Sequence, residues 1–233
     1  MSTPHKQPNA QYNVAEPTSL PIRIATHARR RMYSQFLQKT AIQPSETLLD
    51  VGVTSDRSYE ASNYVEAWYP HKDKITAVGV DDAAFLEQQY PGMTYRRADG
   101  LNLPFADNSF DVVHSSAVLE HVGSATNQRR FIDELFRVAR RAVFLTTPNR
   151  WFPVEFHTVL PLVHWLPKSW FRGLLKGTRY AFFALEENLN LLDRGEIFAL
   201  CAHLSDQKVS IDLQRLLGLG SNLLLTIEKS SSH

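Results

Sequence analysis

The chain has 233 residues, 43% of them hydrophobic and 21% charged, with a net charge of +1. This length fits one α/β domain and can bury a sizeable core, and the balanced charge gives no electrostatic case for a nucleic-acid partner. The single cysteine, Cys201, excludes an intramolecular disulfide and a cysteine-based zinc cluster, and no run approaches the roughly 20 apolar residues of a membrane span.

Residues 1–24 are polar and Pro-bearing, with no apolar signal core, and read as a loose arm. With the lone cysteine, they lead us to expect a cytoplasmic protein. Residues 25–39 turn helical, with Met32, Phe36 and Leu37 at near-helical spacing. Arg29, Arg30 and Arg31 make that helix basic at its start, either as a solvated end or as a lid over an anionic acceptor. Strands and helices then alternate. The runs at 48–53, 75–80, 110–115 and 142–147 read as strands, and 94–97 as a further one. Helices are predicted at 59–69, 83–89 and 127–141, the last with Phe131, Ile132, Leu135, Phe136 and Val138 on one face. Runs at 209–217 and 222–228 read as a closing strand pair.

Strands separated by helices need crossover connections. They imply a largely parallel, doubly wound Rossmann-like sheet covered on both faces. Such sheets bind ligands at the carboxyl ends of their strands, where the strand order switches. The candidate residues there are Asp50, Val51, Gly52 and Thr54 after the first strand, and Asp81 and Asp82 after the second. Ala98, Asp99 and Gly100 follow the third, and Ser115 ends the fourth. A carboxylate at the second position can accept two hydrogen bonds from a ribose diol, and one at the third can accept from an exocyclic amine. These ends carry no Lys or Arg, and there is no GxxxxGK[ST] loop for a phosphate. An acid-lined site suits a ligand with ribose, adenine and positive charge, and S-adenosylmethionine is one.

The run YRRADGLNLPFADNSFDVVHSSAVLEHVGS, residues 95–124, resembles the middle of the class I S-adenosylmethionine-dependent methyltransferases of small-molecule type. Residues 78–81 (VGVD) resemble that family's second strand and ribose-binding acid. The resemblance covers roughly residues 46–150. It implies a seven-stranded sheet whose last strand is antiparallel, S-adenosylmethionine as cofactor, and Asp50, Gly52, Asp81 and Asp99 as residues that hold it. The usual DxGxGxG is here Asp50-Val51-Gly52-Val53-Thr54-Ser55-Asp56, so Thr54 and Asp56 replace two glycines. That change leaves room for a non-catalytic relative that binds the cofactor or a partner. A nicotinamide-dependent oxidoreductase is a weaker alternative, since GxGxxG is missing.

His121 follows the fourth strand, near where the methyl group would sit, and could act as a base. His157 is a second candidate, beside Glu155. No pair of histidines has helix-face or finger spacing, so no metal site is expected. Residues 151–183 hold nine aromatics broken by prolines. They read as a lid that builds the acceptor pocket, as a segment at a membrane interface, or as ordinary core. The organisation expected is thus an arm (1–24) and one domain (25–233), with a core at 46–150, a lid or acceptor subdomain at 151–195 and closing strands at 205–229. The acceptor is expected to be small or lipid-like, and the oligomeric state is left open.

Overall fold

The computed structural model describes residues 20–57 and 59–230, the side chains of residues 20–22 excepted. Most of the expected N-terminal arm lies outside the described residues. Its last stretch is not loose, because helix α1 (Leu20–Thr40) begins there. Phe36 anchors that helix to the sheet, fully buried, with its ring 5.6 Å from Phe144 and 5.0 Å from His114.

The described residues form a seven-stranded sheet in the order β3-β2-β1-β4-β5-β7-β6. The strands are β1 (Leu48–Val51), β2 (Ile75–Gly79), β3 (Thr94–Arg97), β4 (Phe110–Ser116), β5 (Ala139–Pro148), β6 (Lys208–Leu216) and β7 (Leu219–Glu228). The first five run parallel, with Asp50 of β1 opposite Ala77 of β2 and His114 of β4. β7 enters antiparallel between β5 and β6, as the family resemblance implies. The chain leaves β1 for β2 and β3 on one side and returns to β4 on the other. The switch point therefore lies at the carboxyl end of β1.

Side chains alternate across each strand, and both faces are covered. Leu49, Val51, Val113 and Leu145 pack under helix α4 (Ala125–Val138) through Phe131, Ile132 and Leu135. Leu48, Val112 and Phe144 pack under α1 and helix α2 (Tyr64–Trp68) through Phe36, Tyr64 and Val65. Burial on both sides explains why these strands read as continuous apolar runs rather than alternating ones.

Two helices differ from their predicted extents. The helix expected at 59–69 is a 3₁₀ turn, Glu60–Asn63, followed by the five residues of α2. The helix expected at 127–141 stops at Val138, and β5 starts at Ala139. Arg140 pairs with Asp111, while Arg141 makes bonds of 2.9 and 2.7 Å to Glu46. These contacts hold the two arginines in the strand rather than in a last helical turn.

After β5 come short pieces, among them α5 (Lys168–Leu175) and, beyond an Asp193–Glu196 capping box, α6 (Arg194–Leu200). Phe171, Leu175, Phe183, Leu189 and Leu191 form a small separate core there. Trp151, Trp165 and Trp170 stay outside it, exposed by 50, 41 and 67%. The aromatics of this segment are thus divided between a local core and the surface.

Candidate functional site

A cavity of about 290 Å³ opens at the switch point, at the lower end of the roughly 300–1,000 Å³ usual for small-molecule sites. Its walls are the backbone turns that follow β1, β2 and β3, and the residues after β4. Val51, Gly52, Asp81, Ala98, Asp99 and Gly100 of the expected set line it, as does His121. No Lys or Arg does.

The turns owe their shape to close packing. Gly52 has φ +112°, and a Cβ there would stand 2.1 Å from Val118 Cγ2. A Cβ on Gly100 would stand 2.5 Å from the buried Phe131 ring. These glycines are required by the protein's own packing, before any ligand is considered. The backbone N–H groups of Gly52 and Val53 both donate to the Val78 carbonyl, at 2.7 and 3.1 Å.

The missing glycines after Gly52 also find an explanation. The Asn63 side chain binds the Thr54 backbone at both ends: Thr54 N donates to Oδ1 at 2.8 Å and Nδ2 donates to the Thr54 carbonyl at 3.0 Å. Thr54 Oγ1 accepts from Asp56 N at 3.1 Å, and Ser62 Oγ donates to Asp56 at 3.0 Å. A side-chain brace fixes the loop where glycines usually let it turn. Thr54 is therefore buried and does not line the cavity.

The acids divide between the cavity and other roles. Asp81 is half-buried at the cavity wall. Tyr95 Oη donates to its backbone carbonyl, while no donor among the described residues reaches its carboxylate. Asp82 is exposed and accepts from Ala84 N at 3.1 Å, ahead of helix α3 (Phe85–Gln89). Asp99 does two things, lining the cavity and accepting from Leu101 N at 2.9 Å through Oδ1. Ser115 is fully buried and donates to the Val51 carbonyl at 2.7 Å, so it supports the wall from behind.

Asp50 does not line the cavity. Strand alternation turns its carboxylate toward α1 and α2, where it meets His114 Nδ1 at 2.6 Å. His114 Nε2 in turn meets Tyr64 Oη at 2.8 Å. Glu66 is fully buried beside Asp50, and beyond that carboxyl no described group bonds its carboxyl oxygens. Burial pushes the Asp50 carboxyl up to about 7, opposed by the bond to Glu66. Burial and then the Asp50 charge hold Glu66 well above the usual carboxylate range. Burial pushes His114 down to about 4. Two carboxyl groups this close cannot both ionise, so they share a proton. Nothing in the local sequence singles out Glu66; its partners come from two other elements.

At the far end of the cavity, His121 and His157 come together from positions 36 residues apart, their Nε2 atoms 3.0 Å from each other. His121 Nδ1 meets the Asn188 carbonyl at 2.6 Å, and His157 Nδ1 meets Glu155 Oε1 at 2.7 Å. Burial would raise Glu155, but the bonds and charge of His157 and the bonds of Thr158 outweigh it and bring the carboxyl down to about 2. Burial would lower His157, and the bond and charge of Glu155 reverse that and raise it. Glu120 is wholly buried, which raises its carboxyl. Its Oε2 accepts from Thr147 Oγ1 at 2.9 Å, and its Oε1 has no partner among the described residues.

Part of the sequence, and the fold, resemble known proteins. Residues 49–146 match the methyltransferase domain family. An "uncharacterized methyltransferase" of Mycolicibacterium vanbaalenii is 39% identical over 105 residues, 42% of this chain and 36% of its own. A "probable S-adenosylmethionine-dependent methyltransferase" of Mycolicibacterium smegmatis is 37% identical over 81 residues, 33% of this chain and 30% of its own. The matched stretch thus spans about a third of these relatives' length. In fold, the chain is similar to the magnesium protoporphyrin IX methyltransferase of Synechocystis with bound SAH. The TM-score is 0.58 at 14% identity, over 91% of this chain and 88% of that one. It is also similar to a SAM-dependent methyltransferase of Aquifex aeolicus, with TM-score 0.54 at 13% identity over 89% and 97%.

Proposed function

We propose that this chain is a class I S-adenosylmethionine-dependent methyltransferase, a reading supported by the match of residues 49–146, that it binds that cofactor in the switch-point cavity, and that it passes the methyl group to a small or lipid-like acceptor. The observation that carries the reading is the cavity's charge: among the described residues, Asp81 and Asp99 line it and no Lys or Arg does. A phosphate-bearing ligand would find no cation there, whereas a cationic ligand with ribose and adenine finds acceptors. Bound S-adenosylmethionine would supply a methyl group already activated on a sulfonium.

In this reading Asp81 accepts from the ribose hydroxyls. Asp99, one oxygen already held by Leu101 N, accepts from the adenine amine with the other. Ala98, Gly100 and the turn at Val51–Gly52 form the walls, while Thr54, Asp82 and Ser115 support the loops behind them. Asp50 acts from below, as part of the buried cluster that sets the floor. His121 faces the acceptor end with His157 behind it. Methyl transfer is an in-line displacement, so positioning and exclusion of water supply much of the rate.

A lipid-like acceptor is supported by the exposed Trp151, Trp165 and Trp170, with Lys168 and Arg172 on the neighbouring α5. Aromatic and basic side chains together suit the interface of a membrane. No helix among the described residues is long and apolar enough to cross one.

Calorimetry with S-adenosylmethionine tests the cofactor half. Asp81→Ala removes acceptors for two hydroxyls, and hydrogen bonds to a charged group contribute about 1.5–3 kcal/mol each. Affinity should fall at least about tenfold. No binding by the purified chain, or unchanged affinity in Asp81→Ala, would sink the assignment. Co-sedimentation with anionic vesicles tests the surface; Trp170→Ala should weaken it, and equal binding would remove the membrane reading.

A further inference from the structure

We infer that Glu120, His121 and His157 form a binding site for one divalent first-row transition cation. The three ligand atoms, Glu120 Oε1, His121 Nε2 and His157 Nε2, all lie within 4.8 Å of one another. Two imidazoles and a carboxylate suit the manganese-to-zinc series better than magnesium or calcium, which prefer oxygen alone.

Hydrogen-bond accounting leads to the same place. His121 Nδ1 faces a carbonyl oxygen, so it must donate. His157 Nδ1 faces the Glu155 carboxylate, which also accepts from His157 N, Thr158 N and Thr158 Oγ1. An acceptor so heavily used makes Nδ1 of His157 a donor as well. Each neutral ring then presents a lone pair at Nε2, and the two lone pairs point at each other across 3.0 Å. A positive charge between them suits that arrangement. A proton there would leave Glu120 Oε1, wholly buried, without a hydrogen-bond partner among the described residues. A cation can take up that oxygen as well.

The geometry fits. Two ligands about 2.1 Å from one ion at angles of roughly 90–110° stand about 3.0–3.4 Å apart. The imidazole pair is already at 3.0 Å. Glu120 Oε1 is 3.9 Å from His121 Nε2, a distance that a small turn of the carboxyl closes.

Each ligand is also held from behind. The other nitrogen of His121 is held by a carbonyl and that of His157 by a carboxylate. The other oxygen of Glu120 is held by Thr147. Metal-binding histidines characteristically donate their second N–H in this way, which fixes the ring and makes the ligand more basic. The open side of the trio faces the cavity through His121.

The test needs no cofactor, so its outcome is independent of the methyl-transfer reading. The full chain, stripped with chelator, is titrated with Co²⁺ and followed by visible absorption, and Zn²⁺ is then used to displace the cobalt. One equivalent should bind, with absorption bands of a nitrogen-ligated ion. His157→Ala and the isosteric Glu120→Gln should each weaken binding at least about tenfold, with thermal unfolding recorded to confirm that each variant is folded. Asp81→Ala should bind cobalt as the parent does. Absence of stoichiometric binding, or full affinity in folded Glu120→Gln, would overturn the site.

Discussion

Asp50 and Glu66 show how one strand position can serve the floor of a site rather than its ligand. Glu66 keeps its proton in the folded chain, while an unfolded Glu releases it above about pH 4.3. The folded state then binds more protons than the unfolded one, and stability falls as pH rises. Asp50, pushed up to about 7, acts in the same direction between its ordinary value and 7. His114, pushed down to about 4, acts oppositely, because only the unfolded chain takes up its proton between 6.5 and 4. Above pH 6.5 His114 drops out, and Glu66 continues to contribute in the same direction. Glu66→Gln should therefore melt with a shallower loss above pH 6.5 than the parent, as read by calorimetry. An equal or steeper slope would mean that Glu66 is ionised in the fold.

The loop after β1 is held by an element nine residues away. Asn63, at the end of the 3₁₀ turn, braces the Thr54 backbone with two buried bonds. Asn63→Ala leaves both backbone groups without their partner, at a cost of about 1–3 kcal/mol each. We expect a lower unfolding midpoint in urea together with weaker cofactor binding, because the freed loop forms the cavity wall. Loss of stability with unchanged cofactor affinity would separate the loop from the site. This brace also marks where the sequence stops being readable. The strands at 75–79 and 110–116 are legible because buried parallel strands are short apolar or β-branched runs. The acids at 81 and 99 are legible because position after a strand is itself a signal. Asn63 replaces glycines by a contact that no local pattern announces. The same holds for His121 and His157, which only the return of the chain after β5 brings together. Asp50 reads as a ligand-binding acid because its side-chain direction depends on which neighbours bury it.

At the scale of the molecule, α1 and the final hairpin seal the same side of the sheet. Lys39 pairs with Asp212 of β6 at 2.7 Å, and Gln35 Nε2 donates to Gln214 at 2.6 Å. Phe36 fills the space beneath, next to Leu224 of β7. The cavity lies at the other side of β1 from this seal, among the strands that come first in the chain. Binding and closure are thus assigned to different ends of one sheet.

The insertion of β7 sets a timetable for synthesis. β5 pairs with β7 along seven residues, from Ala142 opposite Glu228 to Pro148 opposite Asn222. Until residue 228 leaves the ribosome, β5 is an apolar strand with one bare edge, and bare edges recruit other chains. The strands that build the cavity precede this hairpin in the chain, yet they wait on residues 208–228 for protection. A chain ending before Lys208 should keep α/β circular dichroism but associate in a concentration-dependent way, as light scattering would record. A monodisperse, native-like fragment would mean that the early strands protect themselves. The newborn protein therefore depends for its solubility on a segment translated after the cavity strands, and a nascent-chain chaperone is the natural cover for that interval.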